Sequence, residues 1–186
     1  MKTTLRPTLI PIAALAIAMC AVNSPATETN AAATRIGIYD SRAVAYAWFS
    51  SGKHQKQLRE LIQDARAAKA GGDTNRFREL AAALSRQQDE IHREGFSTAP
   101  PNEALAELKN RLPEILKTAG VSALVSKWDD PTLKKYPGAE QVDVTGTLVH
   151  EFITPTPQQQ KIISGLEKSA PLPLDQCEEL IRKGKI

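Results

Sequence analysis

The sequence predicts a mainly helical α+β protein in which an antiparallel helical hairpin is rooted on a small β-sheet. Three observations predict it. Two long stretches with apolar residues at helical spacing flank Gly71-Gly72-Asp73. Short segments of strand character lie outside that pair, at 35–39, 121–128 and 140–144. Prolines and glycines divide the rest into short helices.

The N-terminus reads as an export signal. Lys2 and Arg6 precede an almost wholly apolar run from Leu9 to Val22. That run falls short of the ~20 residues a helix needs to cross a bilayer, and suits the core of a signal peptide. Ser24-Pro25-Ala26 supplies small residues for a cut after Ala26, so 1–26 is read as a cleaved signal peptide. Lipidation at Cys20 is disfavoured, because the residue before a lipidated cysteine is normally small and here it is Met19. The expected location is the periplasm or another exported compartment, with no stable membrane span after cleavage.

Cleavage changes the charge balance. The whole chain has 24 Lys and Arg against 21 Asp and Glu; the signal holds two basic residues and no acidic one. The mature chain is therefore close to neutral. No basic run with interleaved aromatics argues for nucleic acid. Cys177 is the one cysteine left, which rules out an intramolecular disulfide. It is read as a half-buried free thiol on a tail helix.

Residues 27–34 are small and polar and read as a flexible leader. Residues 35–39 alternate as a strand, and Asp40 or Ser41 is placed to cap the helix that follows. Val44, Ala47 and Trp48 share one face of that helix, and Ser50-Ser51-Gly52 breaks it. Leu58, Leu61, Ile62 and Ala65 form the stripe of the first hairpin arm; Phe77, Leu80, Leu84 and Ile91 form that of the second. The hairpin spans about 53–94, with Asp73 as the cap of its second arm. After a break at 95–101, Asn102 is expected to cap a further helix, Pro113 to kink it or begin a new one, and Gly120 to end it. Val121–Trp128 is expected as a strand, Asp129-Asp130-Pro131 as a loop, and 140–144 as a strand. Thr145 is expected to cap a short helix bearing Leu148, Val149 and Phe152. Residues 35–155 are read as a single domain and 156–186 as a helical tail.

Few residues carry recognisable chemistry. His54, His92 and His150 lie in no zinc-binding pattern, and the first two are read as surface or flanking positions on the hairpin. Asp129, Asp130 and Asp143 are the loop and strand carboxylates able to converge, and a hard cation needs about six oxygens. Ser51-Gly52-Lys53 lacks the preceding glycine-rich loop of a phosphate cradle, and no nucleophile-elbow motif occurs. No catalytic, cofactor-binding or metal-binding residue is assigned, and the chain is read as a non-enzyme. Most of the hairpin stripe is expected to be covered by the partner arm. Trp48, Phe77 and Phe96, at its edges, are the residues assigned to client or partner binding.

This layout resembles the Skp/OmpH-like periplasmic chaperones. The likeness rests on the signal peptide and on Arg35-Ile36-Gly37-Ile38-Tyr39-Asp40-Ser41 running directly into a helix. It rests also on the hairpin tip Lys69-Ala70-Gly71-Gly72-Asp73 and on the return through Gly120, Val121–Trp128 and Val142-Asp143-Val144-Thr145. The resemblance implies a homotrimer with a small central barrel. Its hairpins would enclose unfolded outer-membrane clients without ATP or a catalytic residue. Members of that family are often strongly basic; this mature chain is near neutral and its hairpin is short. The expected function is an ATP-independent holdase for unfolded envelope proteins. The alternative is a structural or adaptor protein that binds one folded envelope partner through the hairpin.

Overall fold

The computed structural model describes residues 34–186; the expected signal peptide and most of the leader lie outside the described residues. The described chain is mainly helical, with a small three-stranded sheet. The strands are β1 (Arg35–Tyr39), β2 (Leu124–Ser126) and β3 (Glu140–Asp143), in the order β2-β1-β3. Both outer strands run parallel to β1. Parallel neighbours cannot be joined by a tight turn, so helices fill the long connection from β1 to β2.

Gly37 sits in the middle strand beneath crowded side chains. A Cβ there would lie 2.9 Å from Leu124 Cδ2 and 3.1 Å from Val144 Cγ2. The strand expected over 121–128 is shorter in the structure. Ser122 bonds the Arg35 carbonyl through both its N–H and its hydroxyl, before the ladder begins. Ser126 turns the chain out of the sheet, accepting Trp128 N–H on its Oγ and Asp129 N–H on its carbonyl.

Helix α1 (Ser41–Phe49) is buried on nearly all sides. Val44, Ala45, Trp48 and Phe49 face one cluster with Leu108, Ile115 and Leu148. Ala43 and Ala47 face a second with Val149 and Ile163, where small side chains let the neighbouring helices approach closely. Asp40 is its cap, accepting Arg42 N–H. Ser50 ends α1, and Ser51 caps α2 (Gly52–Ala70) by accepting His54 N–H at 3.2 Å. Gly72 takes a φ of 75°, and Asp73 caps α3 (Thr74–Phe96). The paired helices touch at Lys69 and Phe77 beside the turn, and at His54 and Gln87 near their other ends.

Two expected caps are used differently. Asn102 is not the cap of α4 (Asn102–Glu107); its own N–H donates to Glu94 Oε1 at 2.8 Å. Thr145 is not the cap of α7 (Thr145–His150); its hydroxyl accepts Asp40 N–H at 3.0 Å, and Asp143 Oδ1 accepts Thr145 N–H at 2.8 Å. Pro113 opens a new helix, α5 (Leu112–Ala119), which Gly120 ends in a left-handed conformation at φ 64°. The expected loop after β2 contains a short helix, α6 (Asp130–Leu133), capped by Asp129.

The C-terminal helices pack onto the domain. Helix α8 (Pro157–Lys168) starts with a reciprocal cap between Thr156 and Gln159 and buries Ile163 against α1. Leu172 then pairs through its backbone with Phe96 and Thr98. Helix α9 (Leu174–Arg182) lies on α3, where Cys177 is fully buried and donates to the His92 carbonyl. The half-buried position expected for this thiol is corrected by that contact. Among the described residues no helix is long and apolar enough to cross a membrane.

Replacing Gly37 with alanine is expected to destabilise the fold by about 1–3 kcal/mol, because the added methyl meets the packed side chains of Leu124, Val144 and Val121, which must give way. Urea unfolding of Gly37→Ala against the native chain measures it.

Candidate functional site

The carboxyl ends of the strands gather the charged interior of the protein. Asp40 follows β1, Lys127 and Trp128 follow β2, and Thr145 follows β3. Asp40 is fully buried. Its Oδ1 accepts the Arg42 N–H at 3.0 Å and Trp128 Nε1–H at 3.2 Å. Its Oδ2 faces Lys127 Nζ at 2.8 Å and Arg42 Nη2 at 3.3 Å. The Trp128 ring lies 5.2 Å from the Arg42 guanidinium and 5.1 Å from Lys127 Nζ, so it also favours the two cations electrostatically. Burial alone would raise the Asp40 carboxyl; the hydrogen bonds from Lys127, Trp128 and Arg42, with the charge of Arg42, outweigh it and hold the group below its ordinary value.

Arg42 carries this cluster to the tail. Nη2 donates to the Leu166 carbonyl at 2.5 Å and to the Ser169 carbonyl at 2.6 Å. The Leu166 carbonyl, which also accepts the Ser169 N–H, and the Ser169 carbonyl lie at the negative dipole end of α8. A buried cation therefore fixes where α8 lies.

Between α8 and the end of α3 runs an apolar groove of about 440 Å³. Tyr46 and Phe49 of α1 contribute to its lining, with Ile162 and Leu166 of α8 on one side and Ile91 and Phe96 of α3 on the other. Phe96 is 48% exposed and Ile162 40% exposed, the large apolar side chains most open to solvent among the described residues. A cavity of this size with mostly apolar walls suits an apolar group.

His54 closes the inner end. It is buried between α1 and the paired helices, edge-on to Trp48 and Phe49 at centroid distances of 5.5 and 5.1 Å. The surface position expected for it is corrected by this packing. The Phe49 carbonyl 3.2 Å from Nδ1 can only accept, so Nδ1 carries the hydrogen and Nε2 accepts from Gln87 Nε2 at 2.9 Å. Burial lowers its pKa below 6.5 despite the Phe49 bond and the charge of Glu103, so the ring is neutral at pH 7.

The structure separates the three residues assigned to binding. Phe96 is on the rim of the groove. Trp48 is a core residue at 5% exposure, with Nε1–H donated to Glu103 Oε2 at 3.1 Å and its ring against Phe152. Its aromatic face is consumed by packing, which corrects its assignment as an open surface residue. Phe77 is half-buried beside the turn between α2 and α3, under Lys69 Nζ. Ile162 and Leu166, one helical turn apart, were the signal in the sequence for the second wall. Asp129 caps α6, and Asp143 accepts the N–H of Thr145, the first residue of α7. Among the described residues no group of three or more His, Cys, Asp or Glu could hold a metal ion.

The chain matches no family model, no curated protein and no solved structure among those compared.

Arg42→Met removes one of the two cations on Asp40 and the donor on the end of α8. It is expected to cost about 3–5 kcal/mol in urea unfolding and to speed amide exchange over 157–169. Lys127→Met is expected to cost less, because Asp40 keeps Arg42. The Asp40 contribution is present above about pH 4 and is lost on acidification through its lowered native pKa, so the difference between Arg42→Met and the native chain shrinks in acid.

Proposed function

We propose that this chain is an exported, non-enzymatic binding protein that holds apolar segments of unfolded envelope proteins without ATP. The observation that carries the reading is the groove, with Phe96 and Ile162 open on opposite walls. Exposed large apolar side chains around one concave surface are the usual mark of a binding site. The signal-peptide pattern at 1–26 supports export. Helices α2 and α3 are read as the arms of an antiparallel hairpin that extends the binding surface beyond the groove. Assembly of three copies would use β2 and β3, the outer strands of the described sheet, each of which presents an edge to which another copy can add.

One observation favours the alternative, an adaptor for a single folded partner. The open apolar surface is concentrated in one groove, while the outward positions of α2 and α3 carry Lys56, Arg59, Glu60, Arg78 and Glu79. A localised groove suits one anchoring side chain. The two readings separate on partner number: a holdase tolerates many unfolded chains and an adaptor saturates with one.

Suppression of aggregation of a urea-diluted outer-membrane protein is the test. The mature chain is expected to suppress it, and Ile162→Asp to weaken that effect about tenfold, the equivalent of ~1.4 kcal/mol. Absence of suppression by the native chain would contradict the holdase reading.

A further inference from the structure

Glu94 is the fully buried carboxyl of α3, two residues before the groove's Phe96. Its Oε1 accepts Asn102 N–H at 2.8 Å, which ties the end of α3 to the start of α4. Its Oε2 is buried and receives no hydrogen-bond donor among the described residues. Leaving a charged oxygen in that state is costly.

The groups around it offer no compensating cation. On α3 itself, Glu90 lies one turn back, and Arg93 pairs with Glu90 and with Glu178 of α9. From α4, Glu103 faces it, held by Trp48. From β1 comes the Tyr39 phenol, which senses both Glu94 and Asp129. From α2, His54 is neutral and is influenced by Glu103. From α9, the Cys177 thiol is engaged with the His92 carbonyl. An un-ionised Glu94 suits this setting.

The segment after Glu94 holds the groove and the tail together. Gly95 and Phe96 line the groove. Phe96 and Thr98 pair with Leu172 through the backbone, and the Ser97 hydroxyl donates to the Arg93 carbonyl at 2.6 Å. We infer that Glu94 is a proton-dependent latch: protonated, it keeps the junction 94–102 closed on Leu172 and fixes the α3 wall of the groove; ionised, it favours release of that junction and of the tail crossing it. The effect on clients rests on the binding reading above; the latch itself does not.

The direction follows from the charge balance. Burial raises the Glu94 pKa, the Asn102 bond lowers it, and the nearby Glu90 and Glu103 carboxylates raise it, from 4.5 to about 8. In an opened junction the carboxyl meets water and returns toward 4.5. Between these values the closed form holds about one proton more than the opened form, so each pH unit gained favours opening by about tenfold. Closure is favoured most below 4.5 and loses that advantage as pH rises to about 8. His54, lowered from 6.5, acts in the opposite sense at the acid end; Cys177, raised from 9.0, and Tyr39, at about 12, titrate above the window.

Amide exchange of the mature chain from pH 5 to 9, corrected for intrinsic rates, tests the latch at 96–102 and Leu172. The native chain is expected to show an opening constant that rises up to about tenfold per pH unit to about pH 8. Glu94→Gln, which keeps the acceptor for Asn102 and cannot ionise, is expected to lose that slope. Equal slopes in the two proteins overturn the latch. Glu90→Gln with Glu103→Gln is a second route, because it leaves Glu94 ionisable: the upper limit of the slope is expected to move to lower pH, and an unmoved limit also overturns the proposal. A client assay without pH dependence, beside an intact exchange slope, overturns the link to clients and leaves the latch standing.

Discussion

A buried carboxylate shared by two cations organises this protein. Asp40 receives Arg42 from α1 and Lys127 from the chain after β2, while its backbone N–H reaches Thr145 after β3. One residue therefore touches the carboxyl ends of all three strands and caps the central helix. Ion pairs in an interior gain little net stability, because desolvation offsets most of the attraction. Their consequence is geometric. A buried charge left without its partner is costly, so arrangements that separate Asp40 from its cations are excluded.

That constraint reaches the groove through a short chain of contacts. Arg42 binds the last carbonyls of α8, and α8 supplies Ile162 and Leu166 as a wall. The facing wall is the end of α3, whose carboxyl Glu94 anchors the next helix. The linker through Leu172 joins the two walls. The groove is thus built from α1, α2, α3 and α8, with a buried ionisable group behind each outer wall. An apolar groove of this kind would bind by shape and dehydration, as the proposed binding role requires.

Much of the local structure was legible in the sequence. Alternation marked β1, the pair Gly71-Gly72 with Asp73 marked the turn between long helices, and Pro113 and Gly120 bounded α5. What stayed hidden was tertiary. Asn102 and Thr145 have good capping side chains, but Glu94 bonds the Asn102 N–H and Asp40 engages the Thr145 hydroxyl from across the fold. His54 stands among polar neighbours in the sequence, yet the break at Ser50 turns it into the core. Trp48 looked like an edge residue until Glu103 met its indole N–H. Periodicity carries no strand direction, so the parallel sheet was not foreseen. The groove was not foreseen: Phe96 was assigned to binding as an edge residue of the hairpin, while the facing wall comes from the tail.

The central claim is that Asp40 and Arg42 act as one unit. A double-mutant cycle with Asp40→Asn, Arg42→Met and the pair, read by chemical denaturation near neutral pH, tests it most directly. The account predicts that the pair loses less stability than the two single losses combined, by about 1–3 kcal/mol, because each single change strands a buried charge. Losses that add within about 0.5 kcal/mol would show that the two residues do not depend on each other, and would contradict it.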